Sequence, residues 1–321
     1  GQARLRRVGN GHSCETFLVE RGDFCAILRR APRPPYAPGL VNLERENRIL
    51  TALDGAANAP RVHARDLAGE VIGGPFLLLE KVSGMTIGER MPAALRNPAD
   101  QRAIGREMAV AMAELHAQDV RSLGLHDISR PTIDHARHLA RLDELLKKAQ
   151  CRDIARAQEL VAWLGRNLPP VEADAVTLVH SDFRLGNVLF AETSPARLTA
   201  VLDWETTMLG DPLVDLGFLV GNYREHGEDD GFLALLSPES LGPGAMTRRE
   251  IAETYADASG RPLTHFNWYL AFALFRTAAM GEGLYRRYLE RGEADPFFEA
   301  FGAGVPEVIE RALTFAHEGC R

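Results

Sequence analysis

His180-Ser181-Asp182-Phe183-Arg184-Leu185-Gly186-Asn187, with Asp203 sixteen residues farther on at the end of an apolar run, decides how this chain folds. A metal-dependent phosphoryl transfer asks a protein for three such side chains. One carboxylate orients a hydroxyl and takes its proton, while an amide oxygen and a second carboxylate hold the ion that bridges the phosphates. Val188-Leu189-Phe190 leaves the loop as a strand, and Leu198-Thr199-Ala200-Val201-Leu202 returns after a turn around Ser194-Pro195. Two apolar runs separated by such a turn predict a hairpin, which brings Asn187 beside Asp203. Asp182 is therefore the candidate base. Asn187 and Asp203 are the candidate ligands of Mg2+, an ion that takes oxygen donors and keeps several waters.

The order His-x-Asp-x-x-x-x-Asn and then Asp is similar to the catalytic segments of protein-kinase-like enzymes. The segment beginning at Val201 is more specific. Val201-Leu202-Asp203-Trp204-Glu205, then Leu209-Gly210-Asp211-Pro212-Leu213-Val214-Asp215-Leu216, resembles the aminoglycoside phosphotransferase family. Trp204-Glu205 stands where a protein kinase has Phe-Gly, and the chain goes directly to Gly-Asp-Pro. The resemblance covers nearly the whole chain. It implies a bilobal α+β kinase-like fold that uses ATP and Mg2+ to phosphorylate a hydroxyl of a small molecule. It gives His180 a structural place beneath the loop, and it favours helix capping and loop bracing for Asp211 and Asp215. Arg184 could meet a substrate or phosphate charge, and Glu205 could aid the metal.

The 321 residues suffice for two lobes, since one core rarely grows beyond about 250–300 residues. A hydrophobic content of 45% and a charged content of 25% are ordinary for a globular protein. No apolar run reaches the ~18 residues of a spanning helix and no leader pattern is visible, so neither membrane nor secretion is expected. Cys14, Cys25, Cys151 and Cys320 show no metal or disulfide spacing, which favours a reducing cytoplasm. A net charge of −7 argues against nucleic acid as the partner.

Along the chain, residues 5–30 read as strands around glycine-bearing turns, and Ala31 to Pro38 is a proline-rich break. Leu43, Ile49, Leu50 and Leu53 predict a helix, and Phe76-Leu77-Leu78-Leu79 a strand ending at Glu80. The lobes are expected to meet near residues 80–84, giving a nucleotide lobe over 1–82 and a catalytic lobe over 83–321. Beyond the hinge the periodicity turns helical: Ile104 to Leu115, then 134–149, 153–167, 248–259, 265–289 and 295–318. Asp211-Pro212 starts a further helix, with Asp as N-cap and Pro in the first turn.

Gly9-Asn10-Gly11-His12-Ser13 sits where kinase-like folds cover the phosphates, and glycines there let backbone N–H groups approach oxygen closely. Two glycines in a strand turn are also commonplace, so Gly9, Gly11 and Ser13 depend on this context. Kinase-like folds set a lysine at the end of the next strand, paired with a helix glutamate. The only lysines here are Lys81, Lys147 and Lys148, none at that place. The resemblance puts Arg29 there, with Glu46 as partner. A guanidinium keeps the charge but not the geometry of an ammonium. The bland alternative is a solvated strand arginine and an ordinary helix glutamate. Adenine is expected against the backbone of the hinge at Glu80 and Val82.

The acceptor is the least legible part. Leu28-Arg29-Arg30-Ala31-Pro32 and Phe275-Arg276 … Gly283-Leu284-Tyr285-Arg286-Arg287 resemble the subgroup related to phosphotransferase domains found with acyl-CoA dehydrogenases. That likeness implies a hydroxy acid or hydroxyacyl-CoA acceptor. Arg276, Arg286 and Arg287 could attract an anion, although helix arginines are usually surface residues. Glu225, Glu228, Asp229 and Asp230 could instead serve a polycationic aminoglycoside, or simply form a solvated turn. A nucleotide-binding protein without turnover is the third reading, suggested by arginine in the lysine's place.

Overall fold

A computed structural model describes residues 2–8, 14–31, 42–87, 91–170, 175–228, 231–232, 234, 241–292 and 295–320. The candidate phosphate-turn residues Gly9, Gly11 and Ser13 lie outside them, as do Asp229 and Asp230.

The first part of the chain is an antiparallel sheet of five strands in the order β1-β2-β3-β5-β4. Its members are β1 (Arg4–Arg7), β2 (Glu15–Arg21), β3 (Phe24–Arg30), β4 (Val62–Asp66) and β5 (Phe76–Glu80). Leu18, Ala26, Leu28, Leu77 and Leu79 are buried, and helix α1 (Leu43–Leu53) contributes Leu43, Ile49, Leu50 and Leu53 to the core. Asn42 caps α1 by accepting the N–H of Arg45. Strand β4 has no counterpart among the sequence expectations. Its stretch Val62-His63-Ala64-Arg65-Asp66 lies on a sheet edge, mostly exposed, and carries no apolar alternation to read.

Two short ladders then frame the catalytic segments. Strand β7 (Thr177–Val179) pairs with β10 (Met208–Gly210), and β6 (Met85–Thr86), β8 (Val188–Phe190) and β9 (Leu198–Val201) form a second sheet. Residues 180–187 run from β7 to β8, and residues 202–207 run from β9 to β10. The expected hairpin holds, with Val188 opposite Val201 and the Leu202 N–H bonded to Asn187 O at 2.7 Å. Gly84 fastens the chain beyond β5 to it. Its φ is +141°, and a Cβ there would lie 2.7 Å from the carbonyl oxygen of Phe190.

The remainder is helical: α2 (Pro98–His116), α3 (His135–Ala149), α4 (Ala157–Arg166), α5 (Pro212–Asn222), α6 (Arg248–Ser259), α7 (Phe266–Arg291), α8 (Pro296–Glu299) and α9 (Phe301–Glu318). The periodic stretches thus become helices close to their expected bounds, and only 295–318 divides, at Ala300. Every residue of α5 is buried, as suits a helix packed on all sides. It approaches α7 so closely that a Cβ on Gly217 would lie 2.6 Å from Tyr269 O. Among the described residues no helix is long and apolar enough to cross a membrane.

Candidate active site

Asp182 occupies the loop after β7, and the loop is held from beneath by one carboxylate. Asp215, on the first turn of α5 and 1% exposed, accepts the N–H of His180 at 2.6 Å and of Ser181 at 2.7 Å. His116 approaches it at 3.3 Å. Burial works to raise Asp215, but its bonds to His116 and the loop hold its carboxyl below the usual range. Ser181 takes a left-handed backbone at φ +70°, a conformation costing about 1–2 kcal/mol for an L residue, so it needs this bracing. His180 is fully buried, donates Nε2–H to Leu202 O at 2.8 Å and packs edge-on to Phe183 and Trp204. Both residues act on the loop's shape, in keeping with the structural places expected for them. Asp211 caps α5 through the Leu213 N–H and also accepts from Tyr269 and His135.

The carboxylate of Asp182 is fixed on both oxygens. Asn187 Nδ2 donates to Oδ2 at 2.6 Å and to the backbone oxygen at 2.9 Å, and Arg184 Nε lies 3.3 Å from Oδ1. Burial raises Asp182 above its ordinary range, Arg184 and His180 pull it down, Asp203 adds to the rise, and Arg276 lowers it.

Asp203 follows β9 in a left-handed conformation at φ +66° that turns the chain into a 3₁₀ turn over Trp204–Thr206. Its Oδ1 lies 3.2 Å from Arg29 Nη2, while Oδ2 bonds no other described residue and the side chain is 33% exposed. Asn187 has its N–H groups on Asp182, so its amide oxygen is the atom that could serve a metal. An amide oxygen and a free carboxylate oxygen fit Mg2+, which draws its other ligands from phosphate and water. Among the described residues no group of three or more His, Cys, Asp or Glu could hold a metal alone.

The expected pair of Arg29 and Glu46 is present, with Nε 3.1 Å from Oε1. Glu46 is 1% exposed on the apolar stripe of α1. Burial pushes it up to about 7 against the pull of Arg29, and Asp203 and Glu205 add to the rise. Burial also opposes the charge of Arg29, but Glu46 and Asp203 hold its pKa above the ordinary arginine range. Glu205 is part of the same network. Its Oε2 lies 3.1 Å from Arg29 Nη2 and accepts from the Cys14 thiol, while its backbone oxygen accepts from Arg45. Burial raises Cys14 to about 12, so it stays a thiol. At the expected hinge, the Glu80 N–H is committed to Arg61 O at 2.8 Å. Val82 makes no hydrogen bond to other described residues.

Three contacts escape the sequence reading: Glu205 to Arg29, Arg45 to the 3₁₀ turn, and Arg276 to the loop. Arg276 of α7 donates to Ser181 O, with its guanidinium 4.7 Å from the Phe218 ring. It is half-buried, whereas Arg286 and Arg287 are exposed. Arg286 bonds Glu290 and Lys148 O, and Arg287 bonds Gly283 O. The signal for Arg276 lies in its spacing, one residue beyond the buried run Trp268 to Phe275.

A family model described as "Phosphotransferase enzyme family" matches residues 4–250. The chain belongs to this phosphotransferase family. A candidate aminoglycoside phosphotransferase from Ralstonia eutropha is similar over 98% of this chain and 93% of its own, at 27% identity and a TM-score of 0.83. Spectinomycin phosphotransferase, solved with ADP and spectinomycin, shares the fold over 98% of this chain and 92% of its own, with a TM-score of 0.61 at 12% identity. Chicken acyl-CoA dehydrogenase family member 11 is 29% identical over 98% of this chain. The chain spans 40% of that relative's length. The bilobal α+β kinase-like fold implied by the catalytic motifs is therefore that of this phosphotransferase, and the chemistry of the family is phosphoryl transfer to a hydroxyl.

Proposed function

We propose that this phosphotransferase moves the γ-phosphoryl group of ATP to a hydroxyl of a small hydroxy acid or its CoA thioester. The observation that carries the reading is the charge around Asp182. Arg184 lies 3.3 Å from its carboxylate and Arg276 holds the neighbouring Ser181. Cations beside the base suit an anionic or acyl acceptor and disfavour a polycation. Two of the carboxylates that could have served an aminoglycoside are otherwise engaged. Glu228 lies 2.5 Å from Arg248 and 2.7 Å from Arg311, and Glu225 lies 3.3 Å from Arg248. The likeness to acyl-CoA dehydrogenase family member 11 points the same way.

In this reading residues 1–82 form the nucleotide lobe and 83–321 the catalytic and acceptor lobe. Gly9, Gly11 and Ser13 cover the phosphates, Arg29 held by Glu46 binds them, and adenine meets the backbone of Glu80 and Val82. Asn187 and Asp203 hold Mg2+, whose charge offsets that of the phosphates when it is bound. The acceptor oxygen forms the new bond to Pγ as the bond from Pγ to the ADP oxygen breaks, and the hydroxyl proton passes to Asp182. Asp182 contributes mainly by aiming the hydroxyl. Four unpaired cysteines keep the reducing cytoplasm as the proposed compartment.

The test is a mass-spectrometric screen for ATP-dependent phosphate addition across pooled hydroxyacyl-CoAs, hydroxy acids, aminoglycosides, macrolides and nucleosides. Phosphorylation of hydroxyacyl compounds supports the reading. Efficient turnover of aminoglycosides alone overturns it. The contact of Arg29 with Asp203 favours the rival, a nucleotide-binding protein without turnover, and any phosphorylated product removes that rival.

A further inference from the structure

We infer that Arg276 is the specificity-determining residue of the acceptor site, its free guanidinium edge receiving the acyl oxygen of the substrate. This rests on the hydroxy-acid reading and assigns the residue that enforces it. The acyl oxygen is a carboxylate in a free hydroxy acid and the thioester carbonyl in a CoA ester.

Arg276 is a cation without an anion. Among the described residues it makes one hydrogen bond, to Ser181 O, and no carboxylate lies within ion-pair distance of it. Other inward-reaching arginines of the helical part are matched: Arg152 lies 3.1 Å from Glu282, and Arg248 lies 2.5 Å from Glu228. Burial pulls Arg276 below the ordinary arginine range, with only the more distant Asp215 and Asp182 opposing it. Its Nε and Nη1 bond no other described residue, and the residue is half-buried. A guanidinium held through one nitrogen, with donors that no described residue takes up, is pre-organised for a carboxyl or carbonyl oxygen. The Phe218 ring, 4.7 Å from the guanidinium carbon, adds a cation–π contact that steadies it.

Its position agrees with an acceptor role. The phosphate-side residues Arg29 and Glu46 come from β3 and α1, whereas Arg276 reaches the loop from α7. Ser181, which it holds, is the residue before the base. His138 of α3 belongs to the same region, with its ring 5.0 Å from Phe272 on α7. Burial, with Arg276 and His135 adding, pushes it down to about 4, so it is neutral at pH 7 and adds no second charge. Its Nδ1 is buried with no partner among the described residues.

A bracing role alone must be separated from recognition, because Arg276 does both. The probes are 3-, 4- and 5-hydroxy fatty acids, their CoA thioesters, and the diols in which the carboxyl carbon is reduced to CH2OH. Wild type, Arg276→Met and Arg276→Lys are compared by kcat/KM with Mg-ATP, and by calorimetric binding in the presence of a non-hydrolysable ATP analogue. Wild type is expected to prefer the best acid or thioester over its matched diol by about tenfold or more. In Arg276→Met that ratio collapses to within about twofold, while Arg276→Lys retains part of it because one donor and the charge remain. Collapse for the acid alone assigns the carboxylate, and collapse for the thioester assigns its carbonyl. Equal losses for diol and acyl compound, with the ratio kept, would overturn the inference and leave bracing only. Equal binding of acid, thioester and diol to wild type would overturn it too, whether or not turnover occurs. Acyl-selective, Arg276-dependent binding without phosphate transfer would uphold this inference while removing the proposed function.

Discussion

Arg29 Nη2 lies 3.2 Å from Asp203 Oδ1, so the candidate phosphate-binding cation touches the candidate metal carboxylate directly. One guanidinium spans Glu46, Asp203 and Glu205, and a lysine ammonium, a single compact charge, cannot meet all three in one plane. Arginine at this place is therefore matched to Glu205. Replacing Arg29 by Met is expected to raise the Kd for Mg-ATP by about tenfold or more, and Arg29→Lys by less, since charge survives. Calorimetric titration reads both. An unchanged Kd in Arg29→Met removes Arg29 from the phosphate site.

Asp182→Asn takes away the proton acceptor and keeps one of the two side-chain contacts, since an amide has a single oxygen to offer Asn187 Nδ2 or Arg184 Nε. Turnover of the acceptor found in the screen should fall by about 10²–10⁴, with nucleotide Kd within a few-fold of wild type. Asp203→Ala should weaken Mg-ATP binding as well as turnover, because it removes a proposed metal ligand. The split between the two variants is the diagnostic result. If Asp182→Asn turned over at the wild-type rate, another base would have to be sought.

The sequence carries the fold where a side-chain period or a turn residue imposes it. Leu43, Leu50 and Leu53 announce α1, and Glu46 on that stripe is the odd carboxylate that needs a partner. Asp211-Pro212 announces α5 because cap and first-turn chemistry are local. Strand β4 is illegible because edge strands owe their shape to a neighbour's backbone. The contacts of Arg276 with Ser181 and of Arg45 with the Glu205 oxygen are illegible for a related reason. They end on main-chain carbonyls, which look the same in every residue. Glu205 reads as a metal candidate from its place beside Asp203. Only the fold reveals that the 3₁₀ turn points it at Arg29.

Asp215 tests how much the loop depends on its brace. Asp215→Asn replaces an acceptor of two buried N–H groups with an amide that can satisfy one of them and adds a donor needing its own partner. Its unfolding free energy at pH 7 should fall by about 2–4 kcal/mol. The folded carboxyl lies below its usual range, so its stabilisation is present above the unfolded pKa and is lost as pH falls through the folded one. The difference between wild type and Asp215→Asn in urea melts should therefore shrink below about pH 4. A constant difference down to about pH 2 would mean that charge on Asp215 is irrelevant to the brace.

Glu46 gives the opposite sign. Burial raises it to about 7 despite Arg29, whereas an unfolded glutamate titrates near ~4.3. Between those values the folded protein holds the proton and the unfolded chain does not, so this contribution is full below about pH 4 and is lost as pH rises through 7. Glu46→Gln cannot titrate. The unfolding free energy of wild type minus that of Glu46→Gln should therefore decline from about pH 4 to about 7, on the order of a few kcal/mol in total. Mg-ATP should move the decline to lower pH, because a cation at Asp203 cancels one of the two carboxylates that push Glu46 up. Denaturant melts at half-unit pH steps, with and without Mg-ATP, check both parts. A difference that rises with pH would show that Arg29 outweighs burial, and that Glu46 is ionised across the whole range.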